Sequence, residues 1–116
     1  MRVTYIENLP LDGQGTLVNP AYKWKEVERT EYCDSISKAG ELWYMFRGGF
    51  VHHSIDPTTI TSIERNGVQA ICKYYRKETH PTFPFTCRFV KNGTEFGAGY
   101  KEFHQLIRDF YTYSQS

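Results

Sequence analysis

TITSIERNGVQAICKYYRK, residues 59–77, decides the fold. Two β-prone runs flank Asn66-Gly67. A two-residue loop between antiparallel strands needs positive φ at both central positions, and Asn-Gly supplies them at least strain. The stretch therefore predicts a hairpin. Counting back from the turn pairs Ile63 with Ala70 on the face of Val68 and Cys72. Ile60 and Ile71 then fall on the other face, because side chains alternate along a strand.

The same signal recurs on either side. Asn92-Gly93 separates FTCRFVK (85–91) from TEFG (94–97), and Gly48-Gly49 separates ELWYMFR (41–47) from FVHHSID (50–56). Three consecutive hairpins follow, with strands expected at 41–47, 50–56, 59–65, 68–77, 84–91 and 94–97. Asp56-Pro57 marks a corner, and ETHPTFP (78–84), with its two prolines, reads as a loop. Beyond Gly97 and Gly99, where a chain turning from strand to helix is expected, the period changes. Phe103, Leu106, Ile107 and Phe110 recur at helical spacing and predict an α-helix over 100–112.

Upstream, RVTYI (2–6) and YKWKEVER (22–29) alternate as strands do, with DGQGTLVNP (12–20) as a loop between them. TEYCDSISKAG (30–40) predicts a short helix ended by Gly40. No repeat, linker or low-complexity tract divides residues 1–116, so one domain is expected. The class is α+β: a mostly antiparallel β-meander of about six to eight strands, in three consecutive hairpins, closed by a C-terminal α-helix. About seven strands before a closing helix resembles the pleckstrin-homology-like superfold. IDPTTITSIERNG (55–67) with TCRFVKNGTEFGAGYKEFHQLI (86–107) is similar in rhythm to the FlbD family of flagellar-associated bacterial proteins. Both likenesses imply a fold and leave function open.

Composition narrows the function. The net charge of +1 excludes an acidic nucleic-acid mimic and a strongly basic binder. Aromatic residues make up 16% of the chain, which favours strands and adhesive surfaces. Cys33, Cys72 and Cys87 are odd in number and lack metal-ligand spacing. They read as reduced thiols of a cytoplasmic protein, with Cys72 and Cys87 packing in their strands. The N-terminal stretch has no apolar segment of the kind a secretion signal carries, and no membrane span is expected. Asn92-Gly93-Thr94 fits a glycosylation sequon but reads better as a turn.

GGFVHHSID (48–56) raises the question of chemistry. Adjacent strand residues point to opposite faces, so His52 and His53 do not chelate one metal. With Gly48-Gly49 as the turn, Met45 pairs with His52 and Tyr44 with His53. One face then carries Leu42, Tyr44, Phe46, Val51, His53 and Ile55; the other carries Trp43, Met45, Arg47, Phe50, His52 and Ser54. The first reads as core, with a half-buried His53 near the Tyr44 hydroxyl. His80 and His104 complete no ligand set, and no nucleophile elbow or phosphate loop is present. No metal, cofactor or catalytic residue is expected, and the chain does not read as an enzyme.

What remains is surface. Lys73, Tyr75 and Lys77 are expected on one strand face, with Arg88 and Val90 on the outward face of the neighbouring strand and Arg47 and Trp43 extending the patch. Tyrosine, tryptophan and arginine suit a protein partner. Basic residues interleaved with tyrosine also suit single-stranded nucleic acid. A solvated face whose lysines protect the sheet edge is the plain alternative. The preferred expectation is a small non-enzymatic module that docks on another protein by steric occlusion or edge-strand pairing. Phages and mobile elements encode accessory and inhibitor proteins of this kind.

Overall fold

The computed structural model describes residues 1–10 and 24–115. Nine antiparallel strands and one helix make up the described fold. A six-stranded sheet has the order β2-β1-β6-β7-β8-β9, built from β1 (Arg2–Pro10), β2 (Trp24–Tyr32), β6 (Ile60–Arg65), β7 (Val68–Tyr74), β8 (Phe85–Lys91) and β9 (Thr94–Tyr100). A second sheet contains β3 (Ser35–Ile36), β4 (Glu41–Phe46) and β5 (Gly49–Ser54). The helix α1 spans Phe103–Ser114. The α+β meander closed by a C-terminal helix is thus observed. The meander is divided, because the first hairpin forms a sheet of its own. The loop expected at 12–20 lies outside the described residues.

The Asn-Gly turns set register as the sequence requires. Arg65 pairs with Val68, Ile63 with Ala70 and Lys91 with Thr94. Asn66 and Asn92 both have φ of 51°. At the first hairpin the turn is Arg47-Gly48, one position earlier than expected, with Phe46 paired to Gly49 and Leu42 to His53. The whole pairing is displaced by two residues from the expected one. Because the side-chain period is two, the grouping of residues on each face survives the displacement.

Three expectations fail for physical reasons. Residues 30–40 are not a helix: β2 runs to Tyr32, β3 follows, and the Ser37 hydroxyl accepts from the N–H groups of Ala39 and Glu41. That side-chain bonding fixes a turn in place of a helical one. Ile60 is buried, because register slips between Thr4 and Tyr5 and brings Ile60 opposite Tyr5. The extra residue, Thr61, is a bulge, and a bulge re-aims the side chains beyond it. Gly97 and Gly99 lie within β9, which continues to Tyr100. There Gly99 leaves room for Phe83, whose ring carbon would stand 2.9 Å from an added Cβ.

The helix covers one face of the large sheet. Phe103, Leu106, Ile107 and Phe110 are buried against Val68, Ala70, Phe85 and Phe89 in one core. A capping box between Glu102 and Gln105 starts the helix. Its last turn is held by Asn66 and Lys91, whose side-chain nitrogens donate to the carbonyls of Ser114 and Tyr113. The small sheet joins the same core through Ile36, Leu42 and Ile55. The Tyr111 hydroxyl ties it to the helix, accepting from the Ile36 N–H at 2.8 Å and donating to the Ile36 carbonyl at 2.7 Å.

Gly40 controls where the small sheet sits. Its φ is +88°, its carbonyl accepts from the Ile55 N–H at 2.9 Å, and an added Cβ would stand 2.6 Å from the Ile55 carbonyl oxygen. Positive φ costs an L-residue about 1–2 kcal/mol before any clash. Gly40→Ala is therefore expected to destabilise the protein by about 2 kcal/mol or more, read as a lowered denaturant midpoint.

Candidate interaction surface

Strands β4 and β5 leave the core as they approach their turn. Leu42 and Ile55 are buried at the base. Towards the tip, Met45 is 63% exposed and Phe50 66%, and Phe46 and Val51 are exposed beside them. Phe46 and Val51 extend the Leu42–Tyr44 face, while Met45 and Phe50 extend the Trp43 face. The tip is thus apolar on both faces. Four large apolar side chains gathered on one hairpin exceed the scattered apolar residues of an ordinary surface. Trp43 is half-buried, tilted over His52 at 4.7 Å between ring centroids and edge-on to Phe50 at 6.5 Å. With Ser35, Ser37 and Phe50 it lines a shallow groove of about 380 Å³.

The two edges of this sheet differ. On the β3 side, Asp34 donates its N–H to the Trp43 carbonyl, and its carboxylate accepts from the Met45 N–H at 2.6 Å. On the other side β5 is the edge strand among the described residues, and all six of its residues are exposed. The remaining long edges are less inviting. Lys25, Glu26, Glu28, Arg29 and Glu31 put charge along β2, a common guard against unwanted strand pairing. On β9, Gly97 and Gly99 offer no side chains, and Phe96 is engaged with Phe89 and Tyr113.

A carboxylate holds the hairpin to the large sheet. Glu31 of β2 accepts from the hydroxyls of Tyr5 and Tyr44, each at 2.8 Å, and lies 3.1 Å from His53 Nδ1. His53 therefore meets Tyr44 through Glu31, not directly, and it is exposed, not half-buried. Burial pushes the Glu31 carboxyl up, but the hydrogen bonds from Tyr44 and Tyr5 and the adjacent His53 outweigh it and hold the group below its ordinary value. Burial, then the bond to Glu31, pushes the Tyr5 hydroxyl up to about 12, and Tyr44 is raised for the same reasons. His52 lies 3.7 Å from Glu41 on the other face.

A depressed carboxyl contributes stability that is present above its unfolded value and is lost as pH falls through its folded one. Glu31→Gln is expected to cost about 1–3 kcal/mol at neutral pH. The difference from the unaltered chain should shrink steadily below about pH 4 in thermal unfolding followed from neutral to acid.

The six residues expected to form one patch fall into two groups. Lys73 and Arg88 are exposed on the helix-free face of the large sheet, with Arg88 opposite Ile71 and Lys73 opposite Thr86. Tyr75 lies just past the end of β7, where its N–H donates to the Pro84 carbonyl. Pro84 has no N–H to return, and the ladder stops there. Lys77 consequently sits in the following turn and not on the strand face. The Lys73 ammonium is 5.0 Å from the Tyr75 ring, and the His80 ring is 4.2 Å from it. Trp43 and Arg47 belong to the other sheet and do not extend the Lys73 face. In the sequence, apolar residues fall on both faces of the hairpins. That two-sided pattern is the local signal for Met45, Phe46, Phe50 and Val51. Nothing local marked Glu31.

No known protein family, curated protein or solved structure matches this chain. Among the described residues, no helix is long and apolar enough to cross a membrane.

Proposed function

We propose that this chain is a non-enzymatic protein-docking module that receives an extended segment of another protein antiparallel to β5. The observation that carries this reading is the exposed cluster of Met45, Phe46, Phe50 and Val51 on a hairpin whose outer strand, β5, has no partner strand on its far side among the described residues. Backbone pairing along an edge supplies affinity, and side chains on alternating faces supply selectivity. Trp43 and Phe50 are aromatic anchors on one face, and Phe46 and Val51 grip from the other. Arg47 at the tip favours an acidic residue on the incoming segment. A bound segment would lose its own edge to other partners. That is steric inhibition, the mode of a cytoplasmic accessory or inhibitor protein such as phages and mobile elements carry.

A second reading places single-stranded nucleic acid on the Lys73 and Arg88 face. Its support is that, among the described residues, no helix covers this face. Glu64 and Glu95 share it, however, and Tyr75 already has Lys73 and His80 against its ring. Bases need free aromatic faces and phosphates need unopposed cations.

Capture from nuclease-treated lysate of the source cells separates the two. A protein retained by the unaltered chain and by Lys73→Glu/Arg88→Glu, but lost with Phe50→Glu, is the result expected for docking at β5. Retention by Phe50→Glu, or bound material that disappears with nuclease, would overturn the docking reading.

A further inference from the structure

Cys72 and Cys87 are fifteen residues apart in sequence and directly opposite each other on β7 and β8. The loop between them, unlike an Asn-Gly turn, gave no register from which this pairing could be counted. The hydrogen-bond pattern shows which kind of pair it is. Tyr75 donates to Pro84 in the same ladder, and hydrogen-bonded pairs alternate with non-bonded ones. Counting inward, Lys73–Thr86 is a bonded pair and Cys72–Cys87 a non-bonded one. Opposed residues at non-bonded positions bring their Cα atoms to about 4.5 Å and their side chains closest together. That separation falls at the short end of the range a disulfide spans. The two thiols share the helix-covered face, and Cys72 is half-buried while Cys87 is buried. The Cys72 side chain, with burial, pushes the Cys87 thiol well above its ordinary value. Both cysteines are free in this structure, and Cys33 lies apart from them at the end of β2.

We infer that Cys72 and Cys87 form a built dithiol site that a peroxide closes to an intramolecular disulfide. The more accessible Cys72 sulfur attacks the peroxide, becoming a sulfenic acid as hydrogen peroxide is reduced to water. The Cys87 sulfur then displaces the hydroxyl from Cys72, forming the S–S bond and releasing a second water. Two thiols are oxidised and one peroxide is reduced. The bond would brace the β7–β8 ladder and close the loop that carries Tyr75, Lys77 and His80. A thiol reductant would reopen it.

The test treats the folded full-length chain with hydrogen peroxide at neutral pH, alkylates the remaining thiols and maps tryptic peptides. The expected product links NGVQAICK (66–73) to ETHPTFPFTCR (78–88), at least tenfold over any linkage to TEYCDSISK (30–38), which carries Cys33. The same treatment in denaturant should abolish that preference, because the preference belongs to the fold. Cys87→Ser should leave Cys72 as a sulfenic acid that dimedone captures. The linked protein should melt roughly 10 °C higher than the reduced one, since closing a loop this long restricts the unfolded chain. Irreversible over-oxidation of Cys72 without a linkage, no reaction, linkage to Cys33 in comparable yield, or a linked form less stable than the reduced one would each overturn the inference.

Discussion

Phe89→Ala is expected to lower the unfolding free energy by about 3–5 kcal/mol, the range for deleting a fully buried phenylalanine. Phe89 sits mid-way along β8 with no exposed surface. Its ring lies 5.4 Å from that of Phe96 and 5.0 Å from that of Tyr113, so it joins the last two strands to the end of the helix. Neighbours on a sheet and a helix cannot both collapse into the vacated space, and a cavity remains. A domain of this size commands roughly 5–15 kcal/mol in all, so the loss consumes a large part of it. Denaturant unfolding should show the midpoint falling with little change in slope. Phe96→Ala, at a ring 40% exposed, should cost much less. Equal losses at the two positions would mean that the helix does not rest on Phe89 as described.

Phe50→Glu is expected to leave the fold intact and abolish docking. Phe50 is 66% exposed, and its ring lies edge-on to Trp43 at 6.5 Å. Surface changes of this kind usually shift stability by no more than about 0.5 kcal/mol. On the proposed interface the same position is central. Truncating an aromatic hot spot costs about 2 kcal/mol or more, roughly thirtyfold in affinity, and a buried unpaired carboxylate adds to that. Affinity and melting temperature should therefore separate at this residue. At Phe89 they cannot, because unfolding removes both.

Some of this was written locally and some was not. Asn66-Gly67 and Asn92-Gly93 encode their own registers, since two adjacent residues with positive φ leave the strands little choice. The helix was legible from the spacing of Phe103, Leu106, Ile107 and Phe110. Gly48-Gly49 was ambiguous because only Gly48 has positive φ, and Gly49 became a strand residue. The division into two sheets is a matter of long-range pairing. β1 lies between β2 and β6, and no short stretch announces that Val3 will face Ile63. The docking surface shows the same divide. The alternation in β4 and β5 groups residues by face correctly, but Phe46 and Val51, expected in the core with Leu42 and Ile55, are exposed, because which end of the hairpin leaves the core depends on where the helix and the large sheet stop. Lys77 left the expected patch because Pro84 ended the ladder, an effect carried from a residue seven positions away.

The proposed docking places a partner strand along β5. The most direct test replaces Phe50, and in a separate protein Arg88, with a photoreactive phenylalanine analogue, irradiates each in nuclease-treated source lysate, and identifies the adducts. Docking at β5 predicts one protein cross-linked at position 50, through an extended apolar segment, and no adduct at position 88. A protein or nucleic acid cross-linked at position 88 and nothing at position 50 would contradict it.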